Sequence, residues 1–197
     1  MFTFSRPSDQ QLRLVLDQQR GAPFSYADVG ASSHANVPIG YNIDKYRAKL
    51  GTGRSSFAAA RVALQGWEMF HIEWLRIFPE SAEIRQGSEV AVVVEHLGFY
   101  SINLSRIVYL VDSEGPISTF GFAYGTLLEH AETGEERFTV SFDRSDDSVW
   151  YEIVAFSKPK AVLARIGYPF SRILQRKFGR ASLAAMTKAV RSLAVGR

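Results

Sequence analysis

Forty residues at the C-terminal end, Lys158 to Arg197, contain ten Lys or Arg and no Asp or Glu, and their apolar residues recur at helical spacing. Leu163, Ile166, Phe170, Leu174 and Phe178 fall three or four apart, while Arg165, Arg172 and Arg176 fall on the opposite side. The spacing predicts one long amphipathic helix over about residues 160–194, with one face for a core and one basic face. Pro169 lies in its path and is expected to kink it, because proline removes an amide donor and crowds the preceding turn. The rest of the chain must supply the surface that receives the apolar stripe.

That surface reads as a sheet. Strand patterns cover 41–50, 71–78, 89–96, 100–112, 118–127, 136–143 and 148–157, separated by Pro79, Gly87, Gly98, Gly115-Pro116, Gly134 and Asp146-Asp147, which are turn chemistry. Connections this short favour antiparallel order. Phe138, Val140 and Phe142 alternate with Arg137, Thr139 and Ser141, so one face of that strand is buried and the other wet. Phe120, Phe122 and Tyr124 share a face opposite Gly121, Ala123 and Gly125, a side bare enough for a bend or for something packed closely on it. Two shorter helices precede the main sheet. One, over about residues 9–20, is capped by Ser8 or Asp9; the other runs from Arg54 to about Met69, with Phe57, Ala60, Leu64 and Trp67 on one side. Residues 21–40 show neither period and read as a loop.

The fold class that follows is α+β: a seven-stranded antiparallel curved sheet wrapped around a long C-terminal helix, in a single domain over 1–197. At 197 residues and 46% apolar content the chain can form one sizeable core without staples. It has no Cys, which excludes disulfides, thiol nucleophiles and zinc–thiolate sites. Early charges interrupt any secretory-signal pattern and no stretch reaches about 18 apolar residues, so a soluble, cytoplasmic protein is the expectation. The formal charge of +3 conceals a segregation: residues 1–157 hold 13 Lys or Arg against 20 Asp or Glu, whereas residues 158–197 are purely basic. Such a face can steer toward anionic lipid or nucleic acid, or pair with the acidic remainder.

Few motifs carry chemistry. His34, His71, His96 and His130 stand in no metal-ligand spacing, and the expectation is no metal and no cofactor. Gly51-Thr-Gly53 follows a strand and precedes a helix, but Ser56 occupies the third glycine position of the dinucleotide fingerprint and no Gly-Lys-Ser/Thr is present. His130-Ala-Glu132-Thr-Gly134-Glu135-Glu136 reads as a solvated acidic turn, with an acid/base pair as the sharper alternative. Trp67, Phe70, His71 and Trp74 form an aromatic junction. Arg106 is either a buried guanidinium that needs an anionic partner or an outward-facing strand residue, and the sequence leaves both open.

The wording of several segments carries a resemblance. Tyr41-Asn-Ile-Asp-Lys-Tyr46-Arg47-Ala-Lys-Leu-Gly51-Thr-Gly53-Arg54, Gly66-Trp67-Glu-Met-Phe70, His96-Leu-Gly98-Phe, Arg106-Ile-Val-Tyr109, Phe120-Gly-Phe-Ala-Tyr124-Gly125-Thr, Gly134-Glu-Glu-Arg137-Phe and Val149-Trp150-Tyr151 resemble a family of bacteria and plants known as a domain of unknown function. It is grouped with the START-like, pollen-allergen-like helix-grip (SRPBCC) superfamily, and the match spans roughly residues 24–192. The resemblance implies a sheet gripping the C-terminal helix around a cavity. Relatives in that superfamily bind lipids, sterols, polyketides or plant hormones, and some are cyclases or hydrolases, so it carries no catalytic residue over.

The functional expectation is a protein that binds a small hydrophobic, lipid-like or polyketide-like molecule between sheet and C-terminal helix. Tyr46, Trp67, Phe70, Tyr109, Tyr124, Trp150 and Tyr151 are the expected lining, with Arg47, His71 or Arg106 anchoring a polar group. The first alternative is an enzyme using the same cavity for acid/base chemistry, with His71 or His130 as proton carrier. The second is peripheral contact with anionic membrane through Arg165, Arg172 and Arg176; the scarcity of aromatics among the arginines disfavours nucleic acid.

Overall fold

The computed structural model describes residues 1–33, 39–96, 98–128, 130–159 and 168–195. The period-two stretches become one curved antiparallel sheet in the order β2 (Asn42–Thr52), β8 (Ser148–Pro159), β7 (Glu132–Asp143), β6 (Ile117–Thr126), β5 (Tyr100–Ser113), β4 (Glu89–Glu95) and β3 (Leu75–Phe78). A two-residue strand, β1 (Phe2–Thr3), adds to β5 through Phe2 and Ser101 and is too short to leave a periodic signal. Strands β3 to β8 follow one another as neighbours, and β2 closes the far edge beside β8. The concave face receives α2 (Gly53–Gln65) and the C-terminal helix α3 (Tyr168–Val195); α1 (Asp9–Gln19) packs on the other face. The α+β architecture expected from the sequence is therefore the observed one.

Register turns this alternation into rows of side chains across the concave face. Phe122 lies opposite Phe138, Phe138 opposite Ile153, and Ile153 opposite Tyr46, so one row crosses four strands. Trp67, Phe70, Leu64 and Met186 close over the sheet and are essentially fully buried with Phe122, Phe138 and Ile153. Burial at about 25 cal/mol per Å² of apolar surface makes this aromatic layer the main contribution to stability. A smaller core on the convex side places Leu12 of α1 against Phe78, Val93, Ile102 and Leu104. Ser8 caps α1 through a reciprocal bond with Gln11, which matches the expected start of that helix.

Two local expectations change. Helix α2 stops at Gln65, because Gly66 ends it and Trp67 adopts a left-handed conformation (φ 56°) that turns its indole into the core, where Nε1 donates to the Ala82 carbonyl at 2.7 Å. The strand expected from residue 71 begins only at Leu75, after a 3-10 turn over Glu68–Phe70. The described part of α3 begins at Tyr168, one residue before Pro169, so the expected kink lies at the border of the described residues. The expected helical residues 160–167, Arg165 among them, lie outside the described residues, as does His34.

The bare side of β6 is covered. Tyr26, in the irregular stretch before β2, sets the hydroxyl end of its ring against Gly125, with its hydroxyl donating to Glu135 Oε2 at 2.7 Å. Gly30 N and Ser32 N donate to the same carboxylate at 2.7 and 3.0 Å, and Ser32 Oγ adds a fourth bond. Glu135 is 2% exposed, so this network fastens the loop to the convex face.

Candidate functional site

One row of the concave face is polar. Tyr124 on β6 lies opposite Glu136 on β7, Glu136 opposite Ala155 on β8, and Ala155 opposite Asp44 on β2. The neighbouring row is Phe122, Phe138, Ile153 and Tyr46, so carboxyls and a phenol stand one step from packed rings. Tyr124 Oη donates to Glu136 Oε2 at 2.8 Å. Tyr124 packs edge-on to Phe138 at 5.3 Å between centroids, and Phe70 bridges from Phe138 (5.6 Å) to Phe178 of α3 (5.4 Å). The pair thus lies at the end of an aromatic stack and faces the helix.

Helix α3 meets the row with matched groups. Arg172 donates from Nη1 and Nη2 to the two oxygens of Asp44 at 2.5 and 2.7 Å, and both side chains are more than four-fifths buried. Gln175 accepts from Arg172 Nη1 at 2.5 Å and donates to Glu132 and to Ser157 Oγ. One turn on, Gly179 rests on the Tyr46 ring: a methyl there would sit 2.5 Å from Cε2. Further along, the Tyr151 and Ser182 hydroxyls share a bond of 3.0 Å.

Electrostatics single out Glu136. Burial pushes its carboxyl up to about 8; the Tyr124 hydrogen bond opposes the shift, and the charges of Glu132 and Asp44 reinforce it. Protein atoms surround most of it, yet part of its surface stays accessible. Burial first, then the Glu136 charge, raises the Tyr124 phenol well above its usual value. Tyr46 and Tyr151 are raised as well, chiefly by burial. Among the described residues no three His, Asp or Glu side chains converge so as to hold a metal ion.

Five of the ten residues expected to line a pocket meet on this face: Tyr46, Trp67, Phe70, Tyr124 and Tyr151. Four others lie on the convex side. Arg47 stacks 4.0 Å over the Trp150 ring, the Tyr109 hydroxyl bonds Ser32 Oγ at 2.7 Å, and Arg106 donates to Glu89 at 2.6 and 2.9 Å. Arg106 also borders a groove of about 1150 Å³ beneath α1, where Arg76 pairs with Asp9 and Arg20 with Asp17. The cations of that groove are largely matched by carboxylates, and it holds no buried titratable pair. His71 is exposed and bonds Glu68 at 2.9 Å, and His130 Nδ1 accepts from Glu132 N at 3.0 Å.

Two readings are corrected. The acidic segment before Phe138 is no solvated turn, because β7 begins at Glu132 and carries Glu135 and Glu136 into the protein on opposite faces. Arg172 does not belong to an outward basic face, because Asp44 draws it onto the sheet. Sequence reasoning missed Glu136 although its signal was present, since it shares parity with Phe138, Val140 and Phe142. Asp44, Arg172 and Gln175 had no such signal, because their meeting depends on how α3 crosses β2.

A family model described as "Domain of unknown function (DUF1990)" matches residues 25–185. The chain belongs to this family. Its members include a UPF0548 protein of Dictyostelium discoideum, 33% identical over 98% of this chain and 97% of its own length. Another, from Arabidopsis thaliana, is 30% identical over 95% of this chain and 97% of its own length. Among solved structures, a Thermus thermophilus protein has TM-score 0.52 at 10% identity, covering 77% of this chain and 98% of that one. The Zhui aromatase/cyclase from Streptomyces has TM-score 0.51 at 13% identity, covering 77% and 94%. Both share the fold of the family member described here. No helix among the described residues is long and apolar enough to cross a membrane.

Proposed function

We propose that the protein binds a small, mostly apolar molecule between the concave sheet face and α3, and that Tyr124 and Glu136 hold its one polar group. The observation that carries this reading is the position of the pair: two hydrogen-bonded proton-bearing side chains, opposite each other on neighbouring strands, end a stack of rings. An apolar wall with a few convergent polar groups is the usual constitution of a small-molecule site. Phe70, Phe178 and Tyr46 provide the wall, and a neutral Glu136 supplies an O–H for a carbonyl or hydroxyl of the ligand. Native mass spectrometry of the purified protein, followed by titration with a panel of aromatic ketones and fatty acids, tests it. The expected result is a retained or titratable adduct that weakens about tenfold in Glu136→Gln and in Phe178→Ala. No adduct with any of these compounds, and no change in the Glu136 titration on adding them, refutes it.

The same carboxyl supports a second reading, acid/base catalysis. A group that titrates near neutrality can give a proton to a carbonyl oxygen and, once ionised, take one from a neighbouring carbon. The aromatase/cyclase shares only the fold with this chain, so the enzymatic reading rests on Glu136 itself. Turnover of a ligand that binds, lost in Glu136→Gln while binding persists, distinguishes it from simple retention.

A further inference from the structure

The two helices on the concave side differ from the rest of the molecule in charge. Together α2 and α3 carry eight Lys or Arg and no carboxylate. Carboxylates elsewhere in the fold engage two of these: Asp112 of β5 pairs with Arg61 and Asp44 of β2 with Arg172. Arg176, Lys177, Arg180, Lys188 and Arg191 are exposed and, among the described residues, form no ion pair. At 100° per residue these five fall within an arc of about 120° on the outer side of α3, along about 27 Å of its length measured from Ile173. Ile173 shares the arc at 54% exposure, and Val62 of the adjoining α2 is 46% exposed. Phe57 and Phe178 turn inward, and Lys177 Nζ lies 4.5 Å over the half-buried Trp74 ring.

We infer that the outer face of α3, with Arg176, Lys177, Arg180, Lys188 and Arg191, docks the protein on an anionic lipid surface. A row of unpaired cations with interspersed aliphatic side chains, spread along a convex helix, complements a flat layer of negative headgroups. Single-stranded nucleic acid calls instead for a groove with stacking rings. The acidic sheet lies behind the helices, so the segregation of charge also orients the molecule with this face toward the lipid.

Cosedimentation with large unilamellar vesicles tests the inference on the full chain. Vesicles of phosphatidylcholine with 30% phosphatidylglycerol should bind at low salt, pure phosphatidylcholine should not, and 0.3 M NaCl should release the protein. Each cation removed weakens partitioning about fivefold, so Arg176→Gln/Arg180→Gln/Lys188→Gln should lose about a hundredfold. Arg13→Gln/Arg20→Gln, on the opposite face, should bind as the parent does. These positions are exposed, so thermal unfolding should be unchanged in both variants. Failure to bind the anionic vesicles, equal binding by the α3 variant, or tighter binding to single-stranded polynucleotide than to vesicles at the same salt overturns the inference.

Discussion

Replacing Glu136 by Gln removes one ionisable group without changing its shape, and the consequence should depend on pH in a definite direction. Burial raises the folded-state carboxyl from 4.5 to about 8, so the folded protein keeps a proton that the unfolded chain releases above about pH 4.5. Below that value both states are protonated and the group leaves stability unchanged. Between about pH 4.5 and 8 unfolding releases a proton, and stability falls by as much as about 1.4 kcal/mol per pH unit. Above the folded value both states are ionised and the loss is complete. Over the whole window the upper bound is roughly 5 kcal/mol, and the partial accessibility of the side chain reduces this to about 2–4 kcal/mol.

Gln is neutral throughout and still accepts the Tyr124 hydroxyl. Urea unfolding at pH 5 should therefore find Glu136→Gln within about 1 kcal/mol of the parent, whereas at pH 8.5 the variant should be more stable by about 2–4 kcal/mol. Titrating groups that do not interact with Glu136 cancel in the difference between the two proteins. An offset that stays constant from pH 5 to 8.5, or a Glu136 Cδ resonance that titrates near 4.5, would refute the placement of this carboxyl in a desolvated row.

Three further perturbations probe the contacts that build the site. In Gly125→Ala the new methyl would fall 2.9 Å from two Tyr26 ring carbons and displace the hydroxyl from Glu135, so a loss of about 2–4 kcal/mol is expected; Tyr26→Ala should make the second change nearly free, and strict additivity in urea unfolding would count against it. Gly179→Ala should gain up to about 1 kcal/mol of helix propensity but lose about 1–3 from the clash with Tyr46; a net rise in Tm in the parent background would show that α3 does not rest there. Asp44→Ala should cost about 3 kcal/mol by removing the carboxylate from a guanidinium that is more than four-fifths buried, and Asp44→Leu/Arg172→Met should recover most of it; an Asp44→Ala loss below about 1 kcal/mol would mean the pair is solvated.

Strand positions were legible because period two survives wherever one face is buried. Phe138, Val140 and Phe142 mark the inward side of β7 by parity alone, and Glu136 follows from the same rule two residues earlier. Turn preference competed with that rule: Gly134 and three nearby carboxylates look like loop chemistry, yet β7 runs through Gly134. Residue type misled in a second way. Arg47, Arg106, Tyr109 and Trp150 have the polar tips expected of ligand-binding residues, but the bulge in β5 between Ile107 and Tyr109 leaves both Arg106 and Tyr109 on the convex side. Bulges and helix crossings are relations between elements, and no local window contains them.

The polar row and the basic helix are two consequences of one distribution of charge. The sheet is the acidic part of the chain, and Asp44, Glu132 and Glu136 project from its concave face toward a helix that has no acid of its own. Arg172 and Gln175, one turn apart at most, satisfy Asp44 and Glu132 and seat α3 across β2 and β8. Helical periodicity then sends the remaining cations outward, where no carboxylate of the described residues pairs with them. Glu136 is left with a phenol in place of a cation, so burial raises its proton affinity with only the Tyr124 hydrogen bond to oppose it. A cation introduced beside it, as in Tyr124→Lys, should pull the Glu136 titration back toward the ordinary carboxylate range; a titration that stays near 8 in a folded Tyr124→Lys protein would mean that position 124 does not face the Glu136 carboxyl.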